Sequence, residues 1–185
     1  MKQKVKLFSQ EDKEQFERFY GLLMYSIDNC INAHKDLKKH NEKLNELFHS
    51  DNYMKYAGDM NEIGRLDRVL KDYLVIKIRT LFDGDQDTLS LPQFGAFLHR
   101  TNSIVGINYS RELKLIRKKY KELLKRLTAV ANKIVAHAVN VEIEVMHTSE
   151  VVKSPIQNLL KELHSLLVAT HHKYFVRRVD YSSNK

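Results

Sequence analysis

Residues 131–137 read Ala-Asn-Lys-Ile-Val-Ala-His and hold the side chains of this chain best suited to chemistry. The imidazole of His137 titrates near neutral pH, so it is able to take up and return a proton during a reaction. Apolar residues recur at Leu113, Ile116, Tyr120, Leu123, Leu127, Ala131 and Ile134. Those spacings of three and four predict one long amphipathic helix over 110–140, opened by Ser110 as its N-cap. Lys119, Arg126, Lys133 and His137 then fall in one stripe at the margin of the apolar face, with Asn140 nearby. A histidine in line with three cations marks the place where chemistry is expected.

Asn-Lys-Ile-Val-Ala-His at the close of a long helix resembles the end of the Arg-polar-x(n)-His motif of the HEPN superfamily of small helical proteins. Many of these are metal-independent ribonucleases of toxin–antitoxin and phage-defence systems. Residues 81–91, Leu-Phe-Asp-Gly-Asp-Gln-Asp-Thr-Leu-Ser-Leu, extend the likeness to the AbiU-like, abortive-infection branch over the central third of the chain. The resemblance implies a homodimer that apposes two motifs in one cleft, with RNA as substrate, no cofactor and no metal, and an antitoxin as a further partner; the lone cysteine and the polar opening of the chain make a cytoplasmic setting the expectation. It implies catalytic roles for His137, Asn132 and Lys133, and the helical stripe adds Lys119, Arg126 and Asn140 as expected RNA contacts.

RNA cleavage without a metal needs the 2′-hydroxyl deprotonated, the phosphate neutralised and the leaving 5′-oxygen protonated. Ala131 stands where the family carries its arginine. Lys133 lacks the planar guanidinium fork, and Arg126 lies about 16 Å along the helix from His137. Cleavage is therefore expected to be weak or absent unless a partner subunit supplies a cation, and Ala131→Arg is expected to raise it. The alternative is a catalytically inactive HEPN-fold module that binds RNA or a protein partner.

The rest of the chain must hold this stripe in place. Six glycines and two prolines in 185 residues leave few turns and favour long helices, so an all-α fold is expected in one domain over 1–185. A formal charge of +8 and a pI near 9.4 favour polyanionic partners. Residues 111–126 carry eight Lys or Arg, but Arg111, Lys114, Lys118, Lys121 and Lys125 lie opposite the apolar seam and read either as a solvated helix back or as a phosphate-binding track. The single cysteine, Cys30, fits a packing position in a reducing setting. No apolar leader opens the chain and no run of about 18 apolar residues spans a membrane.

Helical periodicity predicts an up-and-down bundle of four long helices, over 10–48, 62–82, 110–140 and 155–178, with a short one near 92–100 and a basic tail from about 177. The first is either continuous or two helices joined near His40. Residues 51–59 are expected to form a loop, 101–109 a connection bent at Gly106, and 140–151 a short extended segment. Arg79, set among apolar residues, pairs with an acid such as Asp83 or reaches a phosphate. Asp83, Asp85 and Asp87 imitate an EF-hand opening, but Thr88 and Phe94 stand where its glycine and bidentate glutamate belong, so a turn and a new helix cap are expected instead. His34 reads as a core histidine. His164, His171 and His172 have no ligand partner at a metal-binding offset.

Overall fold

The computed structural model describes residues 9–50, 53–136, 151 and 155–175. Among them the chain is all-helical, with no strand. Helix α1 spans Gln10–Phe48 without interruption, and the Ser9 side chain caps it by accepting the Asp12 N–H. Its 39 residues make a rod about 58 Å long. A 3-10 turn, Tyr53–Tyr56, leads directly into α2, Ala57–Leu81, so most of the expected 51–59 loop is already helical. Helix α3 (Leu91–Thr101) starts as expected, with Ser90 accepting the Gln93 N–H and Pro92 in the first turn.

The expected 110–140 helix is two helices. Helix α4 spans Ser103–Lys119 and α5 spans Lys121–Ala136. Its true N-cap is Asn102, whose side chain accepts the Val105 N–H, while Ser110 sits mid-helix and bonds the His99 ring at 3.0 Å. Gly106 is no bend. A Cβ there would stand 2.6 Å from the backbone nitrogen of His99, so the glycine lets α3 and α4 touch backbone to backbone. The last helix, α6, covers Ile156–Phe175. Among the described residues there are thus five long helices and one short one, where four and one were expected. Residues 137–150, the basic tail from 177 and most of the expected extended segment lie outside the described residues; Val151 is helical and buried.

Two packing layers meet in one core. Helix α1 lies between α2 and α6, α4 lies against α3 and α6, and α5 lies against α2. An aromatic cluster joins α1, α3 and α6: Phe16 stacks on Tyr174 at 3.9 Å and tilts against Phe94 at 5.5 Å. Tyr109 closes the cluster, donating its hydroxyl to the Leu91 carbonyl. The interruption at Tyr120, with φ −103° and ψ 20°, is where the chain changes packing partners. There Glu162 of α6 accepts from both Lys119 Nζ, at 2.6 Å, and the Tyr120 hydroxyl, at 2.8 Å. Partial burial pushes the Glu162 carboxyl up, yet these donors together hold it below its ordinary value.

Candidate functional site

The change of direction at Tyr120 carries the basic end of α4 and the start of α5 to the C-terminal end of α2. A groove of about 470 Å³ opens between them. Arg79 comes from the last turn of α2, Arg117 from α4, and Lys121 and Lys125 from α5. Ile78, Phe82, Leu124 and Leu127 line its floor, with Thr128 and the backbone of Gly84 at the edge. Among the described residues of the lining Asp83 is the only carboxylate, against four cations. No ion pair among the described residues involves Arg79, Arg117, Lys121 or Lys125. In a cleft with low-dielectric walls such a cluster concentrates positive potential and draws in anions.

The loop after α2 is held as a turn. Asp83 accepts the Asp85 N–H, Thr88 donates to the Asp85 carbonyl, and the Gln93 side chain donates to the Gly84 carbonyl. Of the carboxylates that imitated an EF-hand, that of Asp83 is thus bonded within the turn, and no cluster of three metal-ligating side chains occurs among the described residues. His164 and His171 each meet one carboxylate of α1, Asp28 at 3.9 Å and Glu17 at 3.3 Å, in surface pairs. Burial pushes the Cys30 thiol up to about 12, which leaves it an inert packing group. His34 is buried, and burial holds its ring below the ordinary histidine value.

The sequence-expected site is divided by the structure. His137 and Asn140 lie outside the described residues, as does the side chain of Lys133. Asn132 is exposed on α5 and Arg126 is exposed without an ion-pair partner among the described residues. Lys119 faces α6, paired with Glu162. Ala131, at the motif-arginine position, is 0% exposed. Arg126 lies about 100° round α5 from its neighbour Lys125, so the expected stripe and the groove occupy different sides of the helix.

The chain matches no protein-family model, no curated protein and no solved structure. The groove therefore rests on its own chemistry. Sequence reasoning assigned Lys121 and Lys125 to the same side of a helix, with a phosphate track as one reading, and it allowed Arg79 a phosphate. What it lacked was the fact that these groups, and Arg117, line one groove. The signal was present in Arg79, which with Lys77 stands inside the apolar run of α2.

Proposed function

We propose that this protein is a HEPN-like, RNA-directed helical module that binds the phosphate backbone and does not cleave it. The observation that carries the reading is the groove that Arg79, Arg117, Lys121 and Lys125 line together, with Asp83 the one carboxylate among its described lining residues. Arginines offer planar paired donors to phosphate oxygens, and the lysines add point charge along the same line. The complete burial of Ala131 supports the non-cleaving form, because that position has no space for the guanidinium of the motif. The family resemblance supplies RNA as the polyanion and a toxin–antitoxin or phage-defence setting as the context. Ile104, Ile107 and Leu115, exposed on one face of α4 with Arg111 between the last two, support the homodimer that the resemblance implies.

Two measurements test this. Arg79→Gln with Lys121→Gln weakens binding of single-stranded RNA, whereas Lys114→Gln with Lys118→Gln, both exposed outside the groove, leaves it nearly unchanged at moderate salt. Equal losses in the two double variants would remove the groove from the account. Incubation of RNA with wild type and His137→Ala in EDTA yields no cleavage beyond background in either. Cleavage by wild type that His137→Ala abolishes would restore the ribonuclease reading.

A further inference from the structure

Phosphates alone have no use for the floor of this groove. Phe82 and Leu124 are half-buried rather than sealed, and fully buried Ile78 and Leu127 stand behind them. A site that only gripped a backbone would be polar throughout. Here an apolar surface with an aromatic ring lies beneath a cationic rim, in a volume of about 470 Å³. That falls within the roughly 300–1,000 Å³ range of sites that enclose a small molecule, and is more than one phosphate fills.

We infer that the groove seats one unstacked nucleoside, its ring on Phe82 and Leu124 and its phosphate on the surrounding Arg and Lys groups, so that the ligand class is a nucleoside phosphate. Aromatic faces and guanidinium planes hold unpaired bases in this way, and every base offers a π-face to them. Asp83, which would repel a bare phosphate, has a role beside a nucleoside. Its carboxylate is steadied by the Asp85 N–H at 3.1 Å and keeps further acceptor capacity for a ring N–H or a sugar hydroxyl. Duplex RNA keeps its bases stacked and paired, so it has no ring to offer. The inference rests on the phosphate-binding reading of the same groove and adds the ring to it.

The test uses the full chain, with fluorescence-anisotropy binding at one salt concentration. The probes are a single-stranded RNA oligomer, a ribose-phosphate oligomer of the same length without bases, and a duplex of that length. The single strand binds about tenfold tighter than the baseless oligomer or the duplex, a span set by typical base–aromatic stacking. Phe82→Leu closes that gap by weakening the single strand to the level of the baseless oligomer, with an unchanged circular-dichroism spectrum and thermal midpoint reporting that the fold is intact. Adenosine 5′-monophosphate distinguishes the two sources of the ligand: competition at equal nucleotide concentration assigns the groove to free nucleotides, and its failure assigns it to a strand. Equal wild-type affinity for the single strand and the baseless oligomer would overturn the ring inference and leave phosphate binding standing. No binding of any probe would overturn both.

Discussion

Ala131 takes the place of a charged residue in the motif this chain resembles, and its burial has a measurable consequence. An arginine there would put a large cation into a packed helix interface, combining overpacking with an unpaired buried charge. Ala131→Arg is therefore expected to destabilise by about 3 kcal/mol or more and to lower the thermal midpoint, rather than to create cleavage as the sequence suggested. A variant that melts with wild type would contradict this. His34 makes a second prediction. Burial lowers its native value below the ordinary 6.5, opposed in part by a hydrogen bond to the Val151 backbone. The stabilisation is present above about pH 6.5 and is lost as pH falls through the lowered native value, because the unfolded chain takes up a proton that the native ring resists. Thermal melts from pH 7.5 down to 5 lose stability in wild type, and His34→Leu flattens that part of the curve. An unchanged slope in the variant would assign the effect elsewhere. The core role of His34 was legible from its place on an apolar helix face. The 2.8 Å bond between His40 and buried Asp67 was not, because it depends on how α1 and α2 are aligned across 27 residues.

Helix starts were readable where the chemistry is local. Ser9 and the Ser90–Pro92 pair marked them, since a cap needs only its own next turn. The break at Tyr120 was not readable, because Tyr120 keeps the apolar period and its hydroxyl partner, Glu162, lies 42 residues away. Gly106 misled for a related reason: low helix propensity suggested a bend, while the actual requirement is contact between two backbones. Glycines at Gly106 and Gly21 accordingly respond in opposite directions to alanine. Gly106→Ala forces α3 and α4 apart and is expected to cost about 1–3 kcal/mol. Gly21→Ala, on an exposed stretch of α1 with nothing within 4 Å of the new methyl, is expected to stabilise by up to about 1 kcal/mol. Denaturant unfolding of both variants checks the pair, and a shared sign would contradict the close-approach account.

For the molecule as a whole, the helical class followed from scarce glycine and proline and from the period of the apolar residues. The arrangement that brings α2, α4 and α5 around one groove did not, since helix order alone does not say which ends meet. No helix among the described residues is long and apolar enough to cross a membrane. Two copies of the chain are expected to associate through this face of α4, so Ile107→Glu should shift sedimentation from dimer to monomer, and a monomeric wild type would remove that element. The most direct test of the central claim is the salt dependence of RNA binding. Each single-strand phosphate contact contributes a slope of about −0.7 in log affinity against log salt, so four cations give about −3. Arg117→Gln with Lys125→Gln is expected to halve that slope. A wild-type slope near zero, or one that these substitutions leave unchanged, would contradict the account.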